Sequence, residues 1–267
     1  MVARGDLGVE MNPWDVPVIQ KRITEVCKNY GKPCVIATQM MESMIENPTP
    51  TRAEASDCAT AIFDSADAVM LSAESAAGKY PVESVTMQQL IINKVETDEV
   101  YKANLDRFAQ ETSLRISDDP INTAITVAAR QVAEISKSKA IVAFTSSGGT
   151  VMRVSKIRPN VPIIAACYDI KVARWMSLLW GVYPFILSEP EKGAKFNLRD
   201  EIDKVCKLAV KMKFCDPATD TLTVSAGLPF GFPGTTNVVR VVSAAGPDVW
   251  FDKTGKVASI NENVDMK

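Results

Sequence analysis

Short apolar runs alternate with longer segments of helical periodicity along most of the chain. Residues 32–38 and 67–72 are two apolar runs of strand length, and a helical pattern that reaches Asp64 lies between them. A second series of the same kind fills residues 121–242. Strands that alternate with helices in this way predict an α/β fold.

Three local signals indicate where helices of the first series begin. Thr51 and Glu54 have the spacing of a capping box, in which the Thr51 side chain accepts the Glu54 amide and the Glu54 carboxylate reaches back. Pro48 and Pro50 keep the chain extended just before this box. Pro81 opens a further helix, because proline is tolerated at the first helical position.

The second series follows a boundary at residues 118–120, and the more polar stretch 97–119 before it carries no helix or strand prediction. No helix-length segment separates the last two strands, which favours an antiparallel pair. The residues after Gly246 are rich in turn formers and predict a weakly held tail. The predicted helices are 121–136, 151–156, 172–179 and 198–212, and the predicted strands are 140–144, 162–166, 183–187, 221–224 and 237–242.

Composition excludes several classes of function. Hydrophobic residues make up 46% of the 267-residue chain, charged residues 23%, and the net charge is -2. This balance is that of a globular protein, without the basic surface that binds nucleic acid. We find no apolar stretch long enough to span a membrane, and the first residues do not have the pattern of a secretory signal.

The counts of histidine and cysteine exclude some kinds of catalytic and metal site. The chain has no histidine, which excludes Ser-His or Cys-His catalysis and any histidine metal site. Its six cysteines fit no CxxC pattern and lie in apolar periodic stretches. We therefore expect reduced, buried thiols in a cytoplasmic protein rather than disulfides or a metal site.

Polar residues follow three predicted strands of the first series. Gly5 and Asp6 lie where the first strand is expected to turn through a loop into a helix, and Thr38 and Ser72 end the next two strands. Asp6 is a hard oxygen donor suited to Mg²⁺, but an aspartate in a glycine turn also serves as a local turn former. The Thr38 hydroxyl can bind a substrate carboxylate or remain in local contacts. In an α/β barrel such strand ends converge on one rim, where the chemistry collects.

Three long motifs in order resemble pyruvate kinase. They are MVARGDLGVE, KPCVIATQMMESMIENPTPTRAEASD and ADAVMLSAESAAGKYPVE, and the resemblance extends over roughly residues 1–245. It implies the C-terminal part of a (β/α)₈ barrel followed by a separate α/β domain. It assigns residues 1–117 to the last three βα units, 118–246 to the C-terminal domain and 247–267 to the tail. The implied reaction moves a phosphoryl group between phosphoenolpyruvate and ADP, giving pyruvate and ATP, with Mg²⁺ and K⁺.

The resemblance also implies roles for individual residues. Asp6 matches a ligand of the divalent metal, the amides of Gly5 and Asp6 match those that hold the substrate carboxylate, and Thr38 matches the hydroxyl that completes this site. The family's phosphoryl-stabilising lysine, its second carboxylate ligand, its K⁺ ligands and its lid domain belong to segments expected before Met1. We therefore expect no turnover from this chain alone, because an important electrostatic contribution to the transition state is missing.

A second candidate site follows the strand at 140–144. Thr145, Ser146, Ser147 and Thr150 stand with two glycines before a helix, a pattern that suits a phosphate cradle or a plain turn. The resemblance favours a site for an allosteric sugar phosphate or AMP, covered by a loop at residues 227–236. It also implies a homotetrameric parent protein. Two alternatives stay open: a non-catalytic remnant that binds an effector or assembles with partners, and, less favoured, an unrelated α/β phosphate-binding domain.

Overall fold

A computed structural model describes residues 1–114, 119–188, 197–228, 234–251 and 257–259. The chain forms two compact units, Met1–Phe108 and Ala109–Lys267. Both contain parallel sheet and helices, so the predicted α/β class is confirmed. The boundary predicted from the sequence lies somewhat further along the chain, between residues 117 and 118.

The first unit is built on a three-stranded parallel sheet in the order β1-β2-β3. Its strands are short, and helices follow each of them. A 3₁₀ helix at Glu42–Ile45 follows β2. The strands are Val2–Ala3 (β1), Val35–Ala37 (β2) and Ala68–Met70 (β3), and the helices are Arg4–Glu10 (α1), Val16–Tyr30 (α2), Arg52–Phe63 (α3), Ala73–Ala76 (α4), Pro81–Glu96 (α5) and Glu99–Leu114 (α6).

Two sequence predictions for this unit are confirmed at atomic detail. Helix α3 begins with the complete capping box, because the Thr51 side chain accepts from the Glu54 amide and the Glu54 carboxylate accepts from the Thr51 amide. Helix α5 begins with Pro81 at its first position. Helix α6 was not predicted, because polar residues dominate its sequence and obscure an apolar pattern. Tyr101 and Leu105 nevertheless pack in the core.

The core of the first unit is small and rich in methionine. Met40, Met41 and Met44 are fully buried with Ile36 from β2, and α3 adds Cys58 and Ala61. Methionine fills irregular gaps well, because its unbranched side chain adapts to its neighbours. The segment after β2 is therefore fixed by apolar packing on one side, which leaves its other side available for polar contacts.

The second unit contains a five-stranded sheet in the order β6-β5-β4-β7-β8. All neighbours are parallel except β7 and β8, which pair antiparallel as predicted. The strands are Ile141–Phe144 (β4), Ile163–Cys167 (β5), Val182–Ile186 (β6), Thr221–Gly227 (β7) and Thr236–Ser243 (β8), and the helices are Pro120–Ile135 (α7), Gly149–Lys156 (α8), Ile170–Met176 (α9) and Leu198–Lys211 (α10).

Two apolar clusters cover the faces of this sheet. One packs Val142, Phe144 and Leu222 against α10, and the other packs Ile141 and Ile163 against α8 and α9. A short antiparallel pair, Val249–Phe251 (β9) and Val257–Ser259 (β10), lies in the segment that the sequence predicted to be a tail. The turn-rich composition gave no signal for this pair, because each strand has only three residues.

The six cysteines are free thiols, and all but Cys27 are buried. Burial raises the pKa of Cys34 and Cys58 to about 11 and that of Cys206 to about 12. These thiols are therefore protonated at neutral pH and poor nucleophiles. Across the described part of the chain, no helix combines the length and apolar character needed to cross a membrane.

Candidate functional site

The first candidate site lies at the carboxyl edge of the sheet in the first unit. Ala3 at the end of β1 pairs with Ala37 at the end of β2, and Ala37 pairs with Met70 at the end of β3. Parallel strands in this register bring the segments that follow them to one edge. The sheet therefore brings the Gly5–Asp6 segment next to Thr38.

Gly5 and Thr38 are in direct contact. The Gly5 amide donates a hydrogen bond to Thr38 Oγ1 over 2.9 Å, and the Thr38 hydroxyl donates to the Ala37 carbonyl over 2.7 Å. The expected loop between β1 and its helix is absent, because α1 begins at Arg4 directly after β1. Gly5 and Asp6 thus lie in the first helical turn, where backbone amides have no intrahelical acceptor.

Glycine at position 5 keeps space next to the threonine. A Cβ atom on Gly5 would lie 3.6 Å from Thr38 Oγ1, an ordinary contact that fills this space without a clash. A Cβ atom on Gly8, one turn further along the same helix, would meet nothing within 4 Å. A methyl group at position 5 would therefore lie beside the Thr38 hydroxyl, whereas one at position 8 would not.

Asp6 follows Gly5 and is exposed. Among the described residues its carboxylate has no hydrogen-bond or ion-pair partner, so it is available to a ligand. No group of three or more potential metal-ligating side chains exists in the described ranges. Magnesium prefers a nearly octahedral set of oxygen ligands. Asp6 therefore fits as one metal ligand, but the described residues do not make a complete magnesium site.

The backbone of the β2 loop, which we define as residues 38–41, is strained at its start. Thr38 has φ 67° and Gln39 has φ 54°, in the left-handed region that side chains disfavour. Such a conformation costs about 1–2 kcal/mol per residue. The carbonyls of both residues accept hydrogen bonds from the Arg4 guanidinium, at 2.5 and 3.2 Å.

Two glutamates hold the same segment from the other side. Glu74 is buried, and its carboxylate accepts from the amides of Met41 at 3.1 Å and Ser72 at 2.7 Å. Glu54 accepts from the Ser43 amide at 2.7 Å and from the Ser43 hydroxyl at 2.5 Å. Ser72, the third predicted strand end, thus takes part in this scaffold.

The capping box and the Ser43 contacts converge on one carboxylate. Partial burial acts to raise the pKa of Glu54, but the hydrogen bonds donated by Ser43 and Thr51 outweigh it, and the pKa lies below its ordinary value. Glu54 therefore stays ionised in the folded protein down to lower pH than a free glutamate. It links the start of α3 to the 3₁₀ helix after the β2 loop.

The second candidate site lies at the carboxyl edge of the second sheet. Strand β4 lies between β5 and β7, so the chain leaves β4 toward one side of the sheet and later returns on the other. In open parallel sheets, ligands bind outside the carboxyl ends of the strands at this reversal of order. The predicted effector residues follow β4 at that position.

The β4 loop, which we define as residues 145–148, is shaped by glycine. Gly148 has φ +89°, and a Cβ atom there would lie 2.1 Å from Cζ2 of Trp175. Its amide donates to Thr145 Oγ1 over 2.8 Å. Only glycine fits this position, since both the backbone conformation and the indole exclude a side chain.

The four predicted effector residues differ in their surroundings. Ser146 and Ser147 are exposed, whereas Thr145 and Thr150 are buried and engaged with protein atoms. The Thr150 hydroxyl lies 2.6 Å from the Thr236 hydroxyl, which connects α8 to the start of β8. Residues 229–233 of the predicted covering loop lie outside the described residues.

Polar contacts that the sequence analysis did not identify support both sites. Arg4 was read only as part of a motif, because its acceptors are backbone carbonyls that leave no sequence pattern. In the second unit, Asn122 donates to the Gly234 carbonyl over 2.8 Å, and Arg153 pairs with Asp119 at 3.0 Å. Asp119 stands just before Pro120 and could have been read as a helix cap.

The chain matches two family models that together cover most of it. Residues 1–85 match "Pyruvate kinase, barrel domain", and residues 123–242 match "Pyruvate kinase, alpha/beta domain". The two matches do not overlap, and residues 86–122 lie between them. Both matches are therefore to domains of one family.

Individual relatives give the same result. The chain is 45% identical over 241 residues to a pyruvate kinase of Methylorubrum extorquens, which covers 90% of this chain and 48% of that protein. It is 42% identical to pyruvate kinases of Clostridium acetobutylicum and Geobacillus stearothermophilus, in each case over 90% of this chain. The matched region is 49% and 39% of those two proteins. The chain thus spans about half the length, or less, of these relatives.

Proposed function

Because this chain belongs to the pyruvate kinase family, we propose that the protein transfers a phosphoryl group between phosphoenolpyruvate and ADP, giving pyruvate and ATP. The observation that supports this proposal best is the contact of the Gly5 amide with Thr38 Oγ1, beside the exposed Asp6 carboxylate. These three groups have the chemistry needed to hold a carboxylate and one face of a metal ion.

Substrate binding exchanges hydrogen bonds at Thr38. A carboxylate oxygen accepts more strongly than a hydroxyl, so it replaces Thr38 Oγ1 as the acceptor of the Gly5 amide. The Thr38 hydroxyl then donates to the carboxylate instead of the Ala37 carbonyl. Phosphoryl transfer leaves an enolate, and we assign to the Thr38 hydroxyl a part in relaying the proton that this enolate takes up.

Mg²⁺, when bound, would neutralise charge on the transferring phosphoryl group, with Asp6 as one of its ligands. Asp6 alone is a poor magnesium site, so the remaining ligands and the K⁺ site are contributed by groups other than the described residues. We therefore propose that the 267-residue chain by itself is catalytically incomplete. Exposed apolar side chains along α2, including Val18 and Val26, support an assembly of several chains, as in a homotetramer.

A titration with oxalate and Mg²⁺, followed by NMR, tests the site without requiring turnover. Oxalate is a stable mimic of the enolate of pyruvate. We expect the amides of Gly5 and Asp6 and the methyl group of Thr38 to shift. Gly5→Ala and Thr38→Val should each weaken binding about tenfold, which is about 1.4 kcal/mol.

Gly8→Ala is the matched control, because it adds the same methyl group to the same helix in open space. Shifts that spare Gly5, Asp6 and Thr38, or equal binding by all variants, would contradict the proposed site. A coupled assay on the chain alone is expected to show no turnover. Turnover at the rate of an intact enzyme would overturn its assignment as catalytically incomplete.

The β4 loop supports a second binding function within the same family. We propose that the exposed Ser146 and Ser147, with the first turn of α8, hold the phosphate of a sugar phosphate or AMP. Thr145 stabilises the loop by accepting from the Gly148 amide. Thr150 lies just after the loop, and its hydroxyl bonds to the Thr236 hydroxyl. A non-catalytic role in effector binding would depend on this site alone.

Adding inorganic phosphate to the same NMR sample tests this site. Signals of Ser146, Ser147 and Gly149 are expected to shift, and Ser147→Asp should abolish the shifts because it places a negative charge in the cradle. Chloride at equal ionic strength is the control, because it reproduces the ionic strength without a tetrahedral oxyanion. Shifts distributed over lysines elsewhere, or persisting in Ser147→Asp, would count against a phosphate site here.

A further inference from the structure

Arg4 contacts the end of β2 and the β2 loop through several hydrogen bonds. Its side chain is only 11% exposed. The guanidinium donates to three consecutive carbonyls, those of Ala37 at 3.3 Å, Thr38 at 2.5 Å and Gln39 at 3.2 Å. Its remaining arm pairs with Asp57 of α3 at 2.6 Å. One side chain therefore connects the start of α1, the end of β2 and the side of α3.

Two of the three carbonyls belong to residues with left-handed backbone, and the third belongs to the residue just before them. Thr38 and Gln39 have positive φ, and neither is glycine. A left-handed conformation at such residues persists only where the surroundings determine it. Captured carbonyls fix the two peptide planes that flank Thr38, and thereby its φ and ψ. The direction in which the Thr38 side chain leaves the backbone is set by the same contacts.

Arginine suits this task better than lysine. The guanidinium presents five donors in a rigid plane, so it can bind several carbonyls and a carboxylate at once. A lysine ammonium is a single point with three mobile donors. Asp57 completes the arrangement, since it accepts from Nη1 whereas the carbonyls accept from Nε and Nη2.

We propose that Arg4 is a positioning residue, which holds the Thr38 hydroxyl in register with the Gly5 amide without itself touching the substrate. The proposal rests on the proposed function of Gly5, Asp6 and Thr38. In this proposal Arg4 holds the left-handed backbone of Thr38 and Gln39, and that backbone determines where the Thr38 hydroxyl lies. A residue that only stabilises the fold would leave the Gly5–Thr38 hydrogen bond intact whenever the chain stays folded.

The experiment measures that hydrogen bond directly in the 267-residue chain. Hydrogen exchange of the Gly5 amide and the chemical shift of the Thr38 methyl group are recorded by NMR without ligand. In Arg4→Met we expect the Gly5 amide to exchange at least about tenfold faster relative to wild type. Arg4→Lys should behave nearly like Arg4→Met, and Asp57→Asn should give a smaller acceleration in the same direction.

Lys21→Met is the matched control. Lys21 binds both carboxylate oxygens of Asp64 at 2.7 Å, so this variant also removes an ion pair from the same unit, but one that makes no hydrogen bond to the β2 loop. It should leave Gly5 exchange and the Thr38 signal unchanged. A folded Arg4→Met chain with the exchange rate and methyl shift of wild type would overturn the proposal.

Two further outcomes separate this proposal from the proposed function. If wild-type protein does not bind oxalate at these residues, the proposed function fails, while the ligand-free exchange still decides the role of Arg4. If wild type binds, Arg4→Met should weaken oxalate about tenfold and Lys21→Met should not. If Arg4→Met does not fold, Arg4→Lys decides: accelerated Gly5 exchange supports the proposal, and unchanged exchange overturns it.

Discussion

The β2 loop and the β4 loop both turn through left-handed backbone at the end of a parallel strand, but they hold it by different means. The β4 loop places glycine at its left-handed position, under the ring of Trp175. The β2 loop uses Thr38 and Gln39 and holds them with the charged side chain of Arg4. The β4 loop therefore depends on the small size of Gly148, and the β2 loop depends on the charged Arg4 side chain.

The difference follows from what each loop must present. At Thr38 the side chain itself is the candidate functional group, so glycine cannot take its place. The strain of about 1–2 kcal/mol per residue must then be offset by contacts from outside the loop. In the β4 loop both exposed serines precede the left-handed residue, so glycine can occupy it without loss of a hydroxyl.

The largest effect is expected in the β4 loop from Gly148→Ala. The substitution adds the left-handed penalty of about 1–2 kcal/mol to an overpacking penalty of about 1–3 kcal/mol against Trp175. Urea unfolding monitored by tryptophan fluorescence should show a loss of about 2–5 kcal/mol that does not vary between pH 4 and 8.

Gly181→Ala isolates the contribution of the ring. Gly181 has φ +68°, and a Cβ atom there would meet nothing within 4 Å. It should therefore lose only the backbone penalty of about 1–2 kcal/mol. Equal losses for the two variants would show that Trp175 moves aside and that shape does not determine the β4 loop.

A smaller and pH-dependent effect is expected beside the β2 loop from Glu54→Gln. Because the pKa of Glu54 is lowered on folding, its contribution is complete above the pKa of the unfolded state and is lost as pH falls through the folded pKa. We expect a loss of about 1–2 kcal/mol at pH 7 that disappears at acid pH. Hydrogen exchange of residues 40–60, measured by mass spectrometry between pH 3 and 7, checks this.

Glu46→Gln is the control for charge alone. Glu46 lies just after the same 3₁₀ helix and pairs with Lys79, but both side chains are more than 60% exposed. An exposed pair of this kind contributes little to stability. If Glu46→Gln matched Glu54→Gln at every pH, the stabilisation would come from net charge and not from the hydrogen bonds to Ser43 and Thr51.

The two loops also differ in how far the sequence predicts them. The β4 loop could be read directly, because serine and glycine before a helical pattern form a local signal. The capping box at Thr51 was equally local, since its two side chains lie three residues apart. The strand pairing of β7 and β8 followed from the short connection between them.

The β2 loop could be predicted only in part. Thr38 was identified through its motif, but its positive φ and the Arg4 contacts were not, because nothing in a threonine or glutamine signals left-handed backbone. The contacts join residues more than 30 positions apart, so local patterns could not reveal them. Helix α6 was missed for a related reason, since Tyr101 and Leu105 pack against residues far earlier in the chain, such as Ile62.

Strand β6 forms one border of the described five-stranded sheet and carries a proline at position 184. The Leu187 amide, just beyond the strand, donates to the Cys167 carbonyl, so alternation directs the Tyr183 and Phe185 amides toward β5 and leaves position 184 facing outward. Because proline has no amide hydrogen, Pro184 removes one hydrogen-bond donor from the outer edge of β6, where another strand could otherwise pair. Recruitment of a foreign strand, the first step of many aggregation routes, is thereby discouraged along this border.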